Sequence, residues 1–370
     1  LKFILALILL IVLVGAAAAA WMWYGMTNSY QGFPAEGVFV DVPHGASRRY
    51  VAYLLKKNGV IRSATAFEIY ARRNPKRTLQ AGEYFFDRAA TGKDVFWKLA
   101  KGDVFQQPFT VREGETMFDI ARELAAGKFM PAGDFLFAAG DTTLIRDFAP
   151  GAQTLEGFLF PATYELPRHP SAGELTLEMV RKFKEEWRHI AQPSASGQLD
   201  EGSHAAVLRI VTLASLVERE TPKRDERPLV AGVFENRLRK GMRLQCDPTV
   251  IYGMERFGKY NGALTGKDLS FDSLYNTYEH GGLPPGPIGN PGEASLRAAL
   301  QPAESNYLYF VANTLGGHFF SATLAEHNKN VVKYRRLLAG LPADPPAPPP
   351  PPPQHSSKKK HAKPHRGTAR

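Results

Sequence analysis

Glu218 sits in the run Ala214-Ser-Leu-Val-Glu-Arg-Glu-Thr221, and helical spacing through 207–221 sets Val207, Ile210, Val211, Ala214 and Val217 on one face. At about 100° per residue Glu218 falls inside that apolar arc, whereas Arg209, Arg219 and Glu220 lie on its edge or on the far side. A carboxylate removed from water there favours its neutral form, so its pKa rises. That suits it to protonate a leaving group near neutral pH. The same position also reads as a helix-edge carboxylate that turns to solvent or pairs with an arginine, because structural ion pairs shift pKa values too. An open groove beside Glu218 is the condition for the first reading; a sealed carboxylate removes it.

Polar and aromatic residues gather after this helix in numbers that a core does not need. They include Gln245, Cys246, Asp247, Thr249 and Tyr252, then Tyr275, Asn276 and Tyr278, then the Pro/Gly-dense stretch 282–292 with Asn290. Tyrosine rings stack on pyranose faces and amides bond hydroxyls, so the mixture suits a sugar. Asn276 and Asn290 read equally as turn-closing residues, and Asp247 as the N-cap of a helix beginning at Pro248. Glu220 points about 160° around the helix from Glu218 and reads as a supporting or structural residue.

The elements that must position these groups alternate between helices and short strands, an α+β pattern. Val42-Pro-His-Gly45-Ala-Ser47 and Val111-Arg-Glu-Gly114-Glu-Thr116 echo each other: a strand ending at valine, a Gly turn, and a Ser/Thr N-cap opening an amphipathic helix. Further helices are expected over 172–190, 225–240 and 324–339, with a hairpin formed by 307–312 and 318–322 across Gly316-Gly317. Residues 342–353 are almost all proline, a stiff spacer, and the basic tail beyond is expected to be disordered.

Residues 3–24 carry no charge and are long enough to cross a bilayer, which takes about 20 residues. Trp21, Trp23 and Tyr24 close the run like an interfacial belt. A cleaved signal peptide with its small-residue site in 15–20 is the competing reading; because the apolar run passes those alanines into aromatics, a retained anchor is expected, with Lys2 inside and the rest exported. The start at Leu1 suggests a shortened N-terminus. The net charge of +10 includes six Lys/Arg in 354–370, so the body is only mildly basic, and no basic stripe points to nucleic acid. One cysteine, Cys246, excludes an intramolecular disulfide. No metal or nucleotide motif stands out, so catalysis is expected to need no cofactor.

The segments Leu213-Ala-Ser-Leu-Val-Glu-Arg-Glu-Thr221, Val233-Phe-Glu-Asn-Arg-Leu238, Met242-Arg-Leu-Gln-Cys-Asp-Pro-Thr-Val-Ile-Tyr-Gly253, Tyr275-Asn-Thr-Tyr278, Gly282-Leu-Pro-Pro-Gly-Pro-Ile288 and Tyr307-Leu-Tyr-Phe-Val311 together resemble the YceG-like family of endolytic murein transglycosylases. The resemblance takes in Leu155-Glu-Gly-Phe-Leu-Phe-Pro161 and spans about residues 1–340. Phe109-Thr-Val-Arg-Glu-Gly-Glu-Thr-Met-Phe-Asp-Ile-Ala121 also resembles the start of a LysM repeat, a module that binds N-acetylglucosamine-containing glycans. The division this implies is an anchor (1–25), a linker (26–36), a LysM-like α/β module (37–150), a mixed α+β catalytic domain (151–340) and a Pro-rich basic tail (341–370).

The family resemblance implies cleavage of MurNAc–GlcNAc β-1,4 bonds of nascent peptidoglycan without water, on the outer side of the inner membrane, with peptidoglycan synthases as neighbours. It implies Glu218 as acid and then base, and Gln245, Asp247, Thr249, Tyr252, Asn276, Tyr278 and Asn290 as substrate contacts or support, with Glu220 beside them. A muramidase-type hydrolase and a non-catalytic peptidoglycan-binding scaffold are the alternatives. Cys246 stands where the family pattern has Thr or Ser.

Overall fold

The computed structural model describes residues 2–191 and 204–343. The polar connection expected at 193–203, most of the proline spacer and the basic tail lie outside the described residues. Among those described, helices dominate and the only sheets are three antiparallel pairs, a mixed α+β architecture.

Helix α1 (Lys2–Thr27) is apolar throughout and solvent-facing along most of its length, but its last turn is buried at Gly25 and Met26. It leads into a strand–helix–helix–strand unit: β1 (Val38–Val42), α2 (Arg48–Lys57), α3 (Ala64–Arg73) and β2 (Gly82–Phe86), followed by α4 (Gly92–Lys101). β1 and β2 pair with Val40 opposite Tyr84. Ser47 caps α2 as expected, accepting from the Tyr50 N–H. Val40, Leu55, Phe67, Tyr84, Phe96 and Leu99 fill a first core, which Met26 of α1 joins.

The second copy of the motif repeats this order as β3 (Gln107–Thr110), α5 (Met117–Ala126), α6 (Ala132–Ala139) and β4 (Thr163–Leu166), with Phe109 opposite Tyr164. Thr116 and Asp119 form a reciprocal capping box at the start of α5. Its packing partners differ from those of the first copy. Ile120, Leu124 and Phe135 belong to a second, larger core with residues of α7 (Ala172–Ile190), α8 (His204–Glu220), α9 (Arg227–Arg239) and α11 (Glu293–Leu300). The loop between α6 and β4 makes the difference: its Phe148 and Phe158 pack edge-on against Phe183 of α7, at 6.1 and 5.1 Å between ring centroids.

Helix α8 is the axis of this second core and packs against α9, α10 (Asp247–Arg256) and α11. It is buried on every side from Val211 to Glu218 rather than along one stripe. The hairpin β5 (Tyr309–Ala312) and β6 (His318–Ser321) and the helix α12 (Leu324–Leu338) follow as expected and are the last elements among the described residues.

Candidate active site

The last two turns of α8 carry both glutamates, and packing sends them to different places. Glu218 is 9% exposed. One carboxylate oxygen lies 2.5 Å from Nη2 of Arg227, itself buried, and the other accepts the N–H of Gly292 at 2.9 Å. Arg227 also reaches Glu113 at 3.4 Å, and Glu113 reaches Arg224. Burial does push the Glu218 carboxyl above the usual carboxylate range, the direction helical periodicity predicts; the Gly292 N–H and the Arg227 guanidinium oppose it. Among the described residues Glu218 packs between the 112–115 turn, α9 and the start of α11. The arginine partner of the ion-pair reading is Arg227.

The turn that covers Glu218 is held by a clasp. Gly114, at φ +83, stacks over the Glu218 side chain, where an added Cβ would come to 3.4 Å. Gly289 approaches so closely that a Cβ there would sit 2.7 Å from the Gly114 carbonyl oxygen. Asn290 lies at the centre of the clasp, fully buried. Its Oδ1 accepts from Gly157 and Leu159, and its amide donates to the Glu115 carbonyl and to Glu156. Asn290 is therefore a structural tie, joining three segments that are distant in sequence.

Glu156 is a buried carboxyl that composition and periodicity leave unmarked; only its place in Leu155-Glu-Gly157 signals it. It accepts the Met117 N–H at the start of α5 and the Asn290 amide. Burial pushes its carboxyl from 4.5 up to about 8. The native state therefore binds a proton between about pH 4.5 and 8 that the unfolded chain has released. Stability from this group is full below the unfolded value and declines as pH rises through the folded one. Unfolding in urea should show a midpoint that falls from pH 5 to pH 8 in the wild type, and Glu156→Gln should remove most of that fall.

Glu220 emerges on the opposite side of α8, partly exposed. Among the described residues it makes no ion pair. Burial is the main cause that raises its carboxyl above the ordinary value; the neighbouring charge of Asp247 adds to this, while the Cys246 thiol, His318 and Arg237 oppose it. Arg237 spends its donors on the backbone carbonyls of Leu308 and Leu244, at 2.6 and 2.7 Å. His318 is held by Glu226, with Nδ1 at 2.8 Å.

Asp247 is exposed and begins α10, but the N-cap position belongs to Cys246. Its carboxylate instead accepts the Tyr278 hydroxyl at 2.6 Å. Gln245, also exposed, holds φ +51, a left-handed conformation that a side chain other than glycine adopts at a cost. Glu220, Asp247 and Tyr278 thus lie together, with the exposed Gln245 two residues before Asp247.

The other expected contacts are interior. Thr249 and Thr277 bond each other at 2.9 Å out of reach of solvent. Tyr252 is fully buried against Tyr275, with ring centroids 4.9 Å apart. Asn276 donates to the carbonyls of Leu269 and Phe271 and accepts from Tyr278, so the turn-closing reading is the one its geometry supports.

This arrangement sets the half-exposed Glu220 among polar and aromatic groups in a mixed α+β body. The YceG-like family model matches residues 40–333, and the chain belongs to the YceG-like family. It is 35% identical over 314 residues to the endolytic murein transglycosylase of Bacillus subtilis strain 168, covering 80% of this chain and 84% of that protein. The endolytic murein transglycosylase of Streptococcus pneumoniae D39 is 30% identical over 327 residues, 80% of this chain and 58% of the longer relative. The crystal structure of a yceG-like protein from Listeria monocytogenes superposes with a TM-score of 0.50 at 33% identity, covering 80% of this chain and 99% of that one.

Proposed function

We propose that this chain is a membrane-anchored lytic transglycosylase of peptidoglycan and that Glu220, not Glu218, moves the proton. The observation that carries the assignment is the difference in partners: Glu218 is committed to a buried ion pair with Arg227, whereas Glu220 makes no ion pair among the described residues, lies beside Asp247 and has its pKa raised, chiefly by burial. The names of the relatives supply the substrate class.

With its pKa raised, Glu220 in its protonated form gives its proton to the oxygen of a MurNAc–GlcNAc β-1,4 bond as that bond breaks and oxocarbenium character grows at C1. The carboxylate so formed takes the proton of the C6 hydroxyl of the same MurNAc, whose oxygen attacks C1 and closes a 1,6-anhydro ring. The protons balance without water, and one carboxylate serves as acid and then base. Asp247, steadied by Tyr278, is placed to accept a sugar hydroxyl, and its charge helps to keep Glu220 protonated. Gln245 offers an exposed amide to the strand.

In this reading α1 spans the inner membrane and the body lies on the outer side, where nascent strands are made and synthases are neighbours. The two cores favour a division near residue 105, with the first strand–helix–helix–strand unit as a membrane-proximal spacer and the LysM-like copy built into the catalytic body. Mass spectrometry of purified glycan strands after digestion tests the chemistry. The expected new end is 1,6-anhydroMurNAc, one water lighter than the reducing end of a hydrolase; a reducing end would refute the lytic reading.

A further inference from the structure

The junction between α1 and the membrane-proximal unit holds a cavity of about 380 Å³ whose lining includes no residue of the carboxylate cluster. Ala19, Met22 and Met26 of α1 and Ile69 of α3 give it an apolar floor, and Arg73 and Lys93 stand at its rim. Lys93 lies 4.4 Å from the centroid of the Trp23 ring. Arg73 makes no ion pair among the described residues, while its neighbour Arg72 takes Glu68.

Two features set the depth of this cavity. At about 1.5 Å per residue α1 is longer than a bilayer's hydrocarbon core of about 30 Å, so its last turns reach the headgroups, where Trp21, Trp23 and Tyr24 lie. The exit is also held in place: Met26 is buried in the first core, and a Cβ on Gly25 would touch Ala66 and Ser63 at 3.7 and 3.8 Å. The cavity therefore opens where acyl chains meet phosphates. The surrounding segment 28–105 carries thirteen Lys/Arg against seven Asp/Glu, a charge complementary to an anionic surface.

We propose that this cavity binds an anionic phospholipid, with an acyl chain along the Ala19–Met22–Ile69 floor and the headgroup phosphate between Arg73 and Lys93. The site would fix the tilt of the first unit, and so the height of the catalytic body above the membrane. This proposal rests on the membrane-anchor reading of α1.

Native mass spectrometry of the full chain in detergent tests it, with phosphatidylglycerol or phosphatidylcholine added. The wild type should retain phosphatidylglycerol preferentially. Arg73→Gln with Lys93→Gln should lose about fivefold in affinity for each cation removed, leaving weak phosphatidylcholine binding unchanged. Ala19→Trp, which fills the floor without altering charge, should also lose the bound lipid. Equal retention of the two lipids, or full retention by both variants, would overturn the proposal. Displacement by millimolar inorganic phosphate alone would also overturn it, marking a phosphate site rather than a lipid site. Carbonate extraction of membranes separates the two readings: a released chain overturns the anchor and the lipid site together, whereas a retained chain without lipid selectivity overturns the lipid site alone.

Discussion

Glu220→Gln is expected to lose about a thousandfold or more in glycan cleavage while folding and melting like the wild type. The magnitude follows from general acid–base catalysis, worth roughly 10²–10⁴ for one positioned group, and here one carboxyl serves both half-steps. An amide keeps the volume but neither donates nor regains the proton. Because Glu220 makes no ion pair among the described residues and an amide can keep the hydrogen bond to the Cys246 thiol, the cost to stability should be small. The pH profile of the wild type offers a second readout. The acid must be protonated before cleavage, and its pKa lies above the ordinary carboxylate value, so activity should persist above that value and fall as pH rises through the shifted one. Unchanged turnover by Glu220→Gln would remove Glu220 from the mechanism.

Glu218→Gln should give the opposite phenotype: a protein destabilised by about 3–5 kcal/mol that still cuts glycan below its lowered melting point. Glu218 and Arg227 each expose only 4% of their side chains, and removing one partner of a buried pair leaves the other charge uncompensated. The amide also has only one acceptor oxygen, so it cannot serve both Arg227 and the Gly292 N–H. At about 2–4 °C per kcal/mol for a body of this size, the melting temperature should drop by roughly 6–20 °C. Thermal denaturation followed by circular dichroism, paired with a cleavage assay at low temperature, checks both halves. A Glu218→Gln protein with wild-type melting and no turnover would return the acid role to Glu218.

These opposite expectations show how far the sequence reaches. Local signals predicted local structure well. Ser47 and Thr116 cap their helices because a side-chain oxygen one residue before a helix has nearby N–H donors to satisfy. The Gly316-Gly317 hairpin and the boundaries of α7 likewise follow from turn chemistry and periodicity. The repeated strand–helix motif was visible in residue order, but the assignment of its copies to two different cores was not, because that depends on the aromatic loop that returns from α6 to β4.

The sequence by itself determined the apolar N-terminal helix, the α+β pattern, the family and the pair of glutamates about 160° apart on one helix. Only the tertiary structure decided which of the two pairs with an arginine. Periodicity defines a buried face when one side of a helix meets a core; α8 is enclosed on all sides through Glu218, so an apolar arc could not distinguish a lined groove from a sealed interior. The Gly114 turn and the Asn290 clasp, drawn from segments far apart in the chain, cover Glu218 and pair it with Arg227. The Gln245–Asp247 segment and Tyr278 converge instead on Glu220, through contacts that no spacing along α8 encodes.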